Sequence, residues 1–149
     1  MATLYVLVGI PGAGKTTWAL QHPELVHISS DAIRAELFGR EMTLRGYRRI
    51  HKIMLQRAIS TLEDGWDVAL DSSHLSLHSR KRVLNALPDG VSAVAIFIDT
   101  TVSQAKKNNR MRTRHVPNIG ILLSSRRLSP PSISEGFARV ERVVKNFET

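Results

Sequence analysis

The apolar residues of the chain form two kinds of run, short continuous stretches and longer stretches with helical spacing. The continuous stretches predict five β-strands, at residues 4–8, 26–29, 67–71, 91–99 and 138–144. The spaced stretches predict helices that begin at residue 17 and then cover residues 32–37, 46–64, 80–87, 102–112 and 119–127. Strands that alternate with helices indicate an α/β fold, with a parallel sheet of about five strands flanked by helices.

Capping and turn residues mark the ends of these helices. Gly39 is expected to end the helix at 32–37. The expected N-caps are Ser30 or Asp31 for that helix, Ser76 or Ser79 for the helix at 80–87, and Asn118 for the helix at 119–127. Parallel sheets bind ligands beyond the carboxyl ends of their strands, so functional residues are expected directly after the strands.

A glycine-rich segment, residues 9–16, joins the first strand to the first helix. Its sequence, Gly-Ile-Pro-Gly-Ala-Gly-Lys-Thr, matches the phosphate-loop pattern G-x-x-x-x-G-K-[ST] in the required strand–helix context. Glycines let backbone N–H groups point at phosphate oxygens, and the helix adds its positive end. Lys15 is expected to reach the β- and γ-phosphates of ATP, and Thr16 to hold Mg²⁺. The expected nucleotide-binding residues are Gly9, Pro11, Gly12, Ala13, Gly14, Lys15, Thr16 and Thr17.

Acidic and basic residues follow the next two strands. Asp31 and Arg34 lie three residues apart after the strand at 26–29, where a carboxylate can take a proton from a hydroxyl and a guanidinium can hold a phosphate. The alternative is a capping Asp beside a surface Arg. Asp71 ends the third strand and is expected to support Mg²⁺ or substrate, with the capping of a turn as its alternative. His74 is expected to be a turn or packing residue rather than a catalytic one.

Composition indicates one domain over residues 1–149. The chain has 149 residues, 42% of them hydrophobic, and no apolar run approaches the length of about 20 residues that a membrane crossing needs. The N-terminus has no signal-peptide pattern, and the chain has no cysteine. We therefore expect a cytoplasmic protein without a membrane partner.

Basic residues dominate the charge. The formal net charge is +8, and no acidic residue occurs between Asp99 and Glu135. A segment of this acid-free span is expected to form a lid that clamps the transferred phosphoryl group with Arg110, Arg112 or Arg114. A second basic cluster contains Arg45, Arg48, Arg49, His51 and Lys52. Such a charge balance favours a polyanionic partner such as nucleic acid, although a solvated basic surface is the simpler alternative.

Five segments together resemble the kinase domain of the bacteriophage 5′-polynucleotide kinase family, within the small P-loop kinases. They are residues 9–19, 28–34, 70–75, 107–117 and 131–143. The resemblance implies that Asp31 is the general base, that Arg34 contacts substrate phosphate, and that residues 107–117 are the lid. The phosphatase domain of that family is not expected within 149 residues.

The sequence as a whole predicts an ATP-dependent, Mg²⁺-dependent phosphotransferase whose acceptor is the 5′-hydroxyl of DNA or RNA. The expected catalytic residues are Lys15, Asp31, Arg34, Arg110, Arg112 and Arg114, the substrate-binding residues Asp31, Arg34 and Asp71, and the metal-binding residues Thr16 and Asp71. A kinase of a nucleoside, a sugar, an antibiotic or a modified base is the main alternative. A nucleotide-binding regulatory module is a further one, although such a module needs no general base.

Overall fold

The computed structural model describes residues 2–39, 46–111 and 116–144. Its strands are β1 (Thr3–Val8), β2 (Val26–Ser29), β3 (Val68–Asp71), β4 (Ser92–Asp99) and β5 (Arg139–Val144). Its helices are α1 (Lys15–Leu20), α2 (Ser30–Phe38), α3 (Tyr47–Glu63), α4 (Leu77–Asn85), α5 (Val102–Arg110) and α6 (Asn118–Arg127), with a short 3₁₀ turn at Ile133–Glu135. Arg45, Arg112 and Arg114 lie outside the described residues.

The five strands form one parallel sheet in the order β2-β3-β1-β4-β5, which confirms the predicted fold class. β1 is central, with Leu4 paired to Val68 on one side and to Ala93 on the other. The near-continuous apolar character of β1, β3 and β4 follows from this position, because helices cover both faces of the sheet. The carboxyl ends of β1, β2 and β3 therefore meet at one edge.

The core has one part on each face of the sheet. The first includes alternate residues of β1, such as Leu4 and Val6, packed against Ile50 and Met54 of α3. The second includes Leu7 of β1 with Trp18 and Ile121. Within the described parts of the chain, no helix has the length and apolar character that a membrane crossing requires.

Five helix starts differ from the sequence prediction by one to three residues: α1 begins at Lys15 and α3 at Tyr47, and α2, α4 and α6 differ as follows. The cap of α2 is Ser29, whose Oγ accepts from the Ala32 N–H at 3.3 Å, and not Ser30 or Asp31. Ser29 still has extended backbone dihedrals at the end of β2, whereas Ser30 is already helical, so the Asp31 carboxylate is not used as the cap. α4 begins at Leu77 with Ser76 as its cap, and α6 begins directly after Pro117 without a side-chain cap.

Candidate active site

A cleft of 1090 Å³ lies at the carboxyl edge of the sheet. It brings together nine of the residues predicted from the sequence: Pro11, Gly12, Gly14, Lys15, Thr16, Thr17, Asp31, Arg34 and Asp71. Gly9 and Ala13 are buried and do not line it. Arg110 is exposed at the last residue of α5, outside the cleft lining, and its clamping role stays a prediction. Arg127, from the same acid-free span, does line the cleft.

The phosphate loop, residues 9–16, is held in place through its backbone. The Gly9 N–H donates to the Ser73 carbonyl at 3.1 Å, and the Asn108 side-chain amide donates to the Gly12 carbonyl at 2.8 Å. Gly12 has a φ of +84°, and a Cβ there would lie 2.4 Å from the Ala105 carbonyl oxygen in α5. Glycine is therefore required at this position both by the backbone conformation and by the close approach of α5.

Lys15 and Thr16 begin α1 at the end of this loop. The Lys15 ammonium donates to the carbonyl oxygens of Gly9 and Ile10, at 2.9 Å and 3.0 Å. The Thr16 hydroxyl donates to the Asp71 carboxylate at 2.8 Å. The predicted metal-binding pair of Thr16 and Asp71 is thus in direct contact, across 55 positions of sequence.

His27 of β2 is a third member of this contact that the sequence interpretation missed. Its Nε2 lies 2.7 Å from the same Asp71 oxygen that Thr16 contacts. Burial acts to raise the pKa of Asp71, but the hydrogen bonds from His27 and Thr16 outweigh it, so the pKa of this carboxyl is lowered overall. Asp71 is therefore a carboxylate at neutral pH. No motif in the sequence marks His27. Its position could be inferred only from the pairing of β2 with β3, which places Ser29 beside Asp71.

Asp31 and Arg34 form an ion pair on the first turns of α2. The Asp31 Oδ1 lies 2.8 Å from the Arg34 Nη1, and the Asp31 side chain is 48% exposed against 14% for Arg34. The Arg34 Nε is buried and has no hydrogen-bond partner among the described residues. The pair thus places a carboxylate and a partly unsatisfied guanidinium on the same cleft as the phosphate loop.

Tyr47 and His51 line the cleft beside this pair, one turn apart on α3. Their ring centroids are 4.2 Å apart and the rings are tilted by 44°. Burial, with the positive charges of Arg82 and Arg34, lowers the pKa of His51 to about 4, so its ring is neutral near pH 7. We call the surface formed by Asp31, Arg34, Tyr47 and His51 the α2–α3 wall. Sequence reasoning placed His51 only in a basic cluster and did not single out Tyr47.

His74 is a packing residue of the loop after β3, as predicted, although it also borders the cleft. Its backbone φ is +46°, and its Nδ1 lies 2.8 Å from the Leu7 carbonyl oxygen. Burial lowers its pKa to about 4, so the ring is neutral and Nδ1 donates to that carbonyl. The loop of His74 is thereby tied to the central strand.

Arg80 of α4 holds the same loop from behind, and no motif pointed to it. Its side chain is 1% exposed and its Nε lies 2.7 Å from Glu135. The remaining guanidinium nitrogens donate to the carbonyl oxygens of His74 and Leu75 and to the Ser129 hydroxyl. Removing one partner of such a buried pair costs about 3–5 kcal/mol, because the other charge is left buried.

Asn109 closes the base of the predicted lid. Its side-chain amide donates to the Val116 carbonyl, and its Oδ1 accepts from the Val116 N–H at 2.9 Å. Asn109 thus holds residues 109 and 116 together, as a backbone pair would.

Comparisons with known proteins extend the resemblance. A bifunctional polynucleotide phosphatase/kinase from Schizosaccharomyces pombe is 24% identical over 97% of this chain, which covers 35% of that protein. A chain of the Pnkp1/Rnl/Hen1 RNA repair complex superposes with a TM-score of 0.76 at 24% identity, over 85% of this chain and 44% of that one. A gluconokinase from Sinorhizobium meliloti 1021 superposes with a TM-score of 0.65 at 20% identity, over 95% of this chain and 82% of that one.

The chain therefore spans less than half the length of the two polynucleotide-related proteins, and the superpositions show the shared fold. These relatives give no support to the bacteriophage subgroup that the motifs suggested. Residues 4–131, which include the phosphate loop, α2 and the predicted lid, match the family model described as the AAA domain. The chain belongs to the AAA domain family and has the fold of a P-loop kinase.

Proposed function

We propose that this chain transfers the γ-phosphoryl group of ATP to the 5′-hydroxyl of a polynucleotide. The observation that carries the proposal is the Asp31–Arg34 pair, which lines the same cleft as the phosphate loop and Asp71. A site that only bound a nucleotide would need neither an exposed carboxylate nor a guanidinium there. The low-identity relative from Schizosaccharomyces pombe, named as a polynucleotide phosphatase/kinase, supports the choice of acceptor.

We assign the roles from the positions of the side chains. The carboxylate of Asp31 takes the proton of the acceptor hydroxyl as its oxygen forms a bond to the γ-phosphorus. The bond from that phosphorus to the bridging oxygen breaks, and ADP leaves. Lys15 and the amides of the phosphate loop hold the negative charge of the phosphates. Arg34 is released from Asp31 to hold a phosphate of the acceptor chain.

Kinases with this loop generally use ATP and Mg²⁺. The donors here fit that metal, because Mg²⁺ prefers oxygen ligands, usually one or two protein groups together with phosphates and water. The Thr16 hydroxyl and the ionised Asp71 carboxylate are such oxygens, 2.8 Å apart. When bound, the metal neutralises phosphate charge. His27 keeps the Asp71 carboxylate oriented toward Thr16.

A small hydroxyl compound is the second candidate for the acceptor. The observation in its favour is the gluconokinase, which this chain resembles over 82% of that protein's length. The same Asp31 would serve a sugar hydroxyl, but a neutral sugar has no phosphate for Arg34 to hold. The two candidates therefore predict different effects on acceptor binding when the Arg34 side chain is removed.

The test is phosphate transfer from γ-labelled ATP to a panel of acceptors: 5′-hydroxyl DNA, 5′-hydroxyl RNA, nucleosides and sugars. We expect labelled oligonucleotides. Labelling of a small hydroxyl compound alone would contradict the polynucleotide proposal.

The acceptor KM of Arg34→Ala, measured against salt with a 5′-hydroxyl oligonucleotide, sharpens this result. Loss of one phosphate contact reduces the log–log salt slope by about one unit, whereas the KM for ATP should change little. Arg57→Ala is the matched control, because Arg57 is exposed, pairs with Glu36 and lies outside the cleft. An unchanged slope for Arg34→Ala would exclude Arg34 as an acceptor contact.

A further inference from the structure

Tyr47 is an exposed aromatic residue whose position continues the buried face of a helix. The buried residues of α3 are Ile50, Met54, Ala58 and Leu62, at helical spacing. Tyr47 precedes Ile50 by three positions and so extends this line beyond the core and into the cleft lining. The residue is nevertheless 46% exposed. The helix therefore presents a large ring where the core has ended.

The Tyr47 ring packs against a second aromatic ring. His51 lies one turn further along α3, with its ring centroid 4.2 Å from that of Tyr47. Because His51 is neutral and half-buried, it packs as an aromatic ring and not as a solvated cation. The pair is thus an ordered aromatic surface with one side toward the cleft.

The same end of α3 carries cations on a neighbouring face of the helix, outside the cleft lining. Arg48, Arg49 and Lys52 are exposed on the first turns of α3, and no acidic residue occupies its first turn. Cations at a helix N-terminus oppose the helix dipole, so they add no stability to α3. An anionic chain that passes this end of the helix would be attracted by all three.

From this arrangement we infer that Tyr47 is a stacking platform for the 5′-terminal nucleobase of the acceptor. The inference rests on the proposed function and assigns one residue of the α2–α3 wall a specific role. With a base on Tyr47, the terminal 5′-hydroxyl is directed to Asp31 and the following phosphate to Arg34, because these residues share the wall. Stacking on one aromatic face tolerates every base, so the platform recognises an end and not a sequence.

The experiment compares two acceptors, one 5′-hydroxyl oligonucleotide with a normal terminal nucleotide and one with an abasic terminal nucleotide. Tyr47→Ala is expected to raise the acceptor KM for the normal oligonucleotide by roughly 5- to 150-fold, which corresponds to the loss of one base–aromatic stack. The KM for the abasic oligonucleotide should be the same in the parent and in Tyr47→Ala. Tyr47→Phe keeps the ring and should behave as the parent.

Trp66→Ala is the matched control, because Trp66 is 61% exposed and does not line the cleft. A binding readout without turnover uses 2-aminopurine as the terminal base. Its fluorescence should be quenched on binding by the parent and by Tyr47→Phe, and remain unquenched with Tyr47→Ala.

Three results would overturn the platform: an unchanged acceptor KM in Tyr47→Ala, an equal rise for the abasic oligonucleotide, or a rise in the KM for ATP instead. Each is distinguishable from failure of the proposed function. If the parent phosphorylates no oligonucleotide, the acceptor class itself is wrong. If it phosphorylates both oligonucleotides normally and Tyr47→Ala does as well, only the platform is wrong.

Discussion

The phosphate loop and the α2–α3 wall line the same cleft but are built differently. The loop is held by its backbone, through Gly9 to Ser73, Gly12 to Asn108 and the close approach of Gly12 to α5. The wall consists of side chains that contact one another, Asp31 with Arg34 and Tyr47 with His51.

The difference teaches which part of a site can vary. Backbone N–H groups bind any phosphate in the same way, so the loop binds phosphate whatever the acceptor is and its sequence can vary little. Side chains on a wall change by substitution without disturbing the fold, so the wall is the part of the site that we propose selects the acceptor. The S. pombe enzyme named for polynucleotides and the gluconokinase illustrate how different acceptors occur among proteins similar to this chain.

The largest effect is expected on the phosphate-loop side. Lys15→Ala removes the ammonium that the phosphates need and should abolish transfer to every acceptor, while the fold is retained. The measurement is turnover with γ-labelled ATP, together with circular dichroism. Lys81→Ala, an exposed lysine of α4, is the control and should retain full activity. Turnover of Lys15→Ala near the parent value would contradict the role of the loop.

A smaller effect is expected from the wall. Asp31→Asn keeps the size of the side chain but removes the base, so kcat should fall by about 10²- to 10⁴-fold with the affinity for ATP unchanged. Glu36→Gln, on the exposed part of the same helix, should leave kcat as it is. If Asp31→Asn transfers phosphate at the parent rate, Asp31 serves only in its ion pair with Arg34.

The smallest of the three effects is expected at His27, and it tests whether the hydrogen bond from His27 orients Asp71. His27→Leu removes the hydrogen bond to Asp71 and should raise the Mg²⁺ concentration for half-maximal activity by about 10- to 100-fold, as for other groups that orient metal ligands. His27→Gln can still donate to Asp71 and should recover most of the loss, whereas His78→Ala, an exposed residue of α4, should change nothing. An equal loss in the Leu and Gln variants would mean that His27 only packs.

The same contrast governs what could be predicted from the sequence. The strands and the phosphate loop were predictable because their signals are contiguous: an apolar run, or eight adjacent residues in a fixed pattern. Asp31 and Arg34 are also neighbours in the sequence, so their common position on the first turns of α2 was predictable, whereas their roles stay a prediction. His27 was not, because its partner Asp71 lies 44 positions away and only the pairing of β2 with β3 brings them together.

Tyr47 and Arg80 were missed for a related reason. Tyr47 continues an apolar line, and only the end of the core shows that its ring faces the cleft. Arg80 precedes Val83 on the buried side of α4, a position that the sequence pattern reserves for an apolar residue. Its partner Glu135 lies 55 positions away. The cap of α2 was predicted at Ser30 or Asp31 instead of Ser29, because the sequence does not show that Ser29 keeps an extended backbone while Ser30 is already helical.

The buried pair of Arg80 and Glu135 also has a consequence for local unfolding, because it links two separate segments of the chain. Leu75 accepts hydrogen bonds from Arg80 and from the Ser129 N–H, so the loop after β3 and the segment before β5 share their bonding groups. Arg80 donates to His74 and Leu75 in the first segment and pairs with Ser129 and Glu135 in the second, so detaching either segment leaves the buried guanidinium without partners. We therefore expect the two segments to open together in local unfolding. Amide hydrogens in the two segments would then exchange with solvent at the same rate. The loop after β3, which lines the cleft, would open only as often as the segment that leads into β5, the strand at the other edge of the sheet from β2.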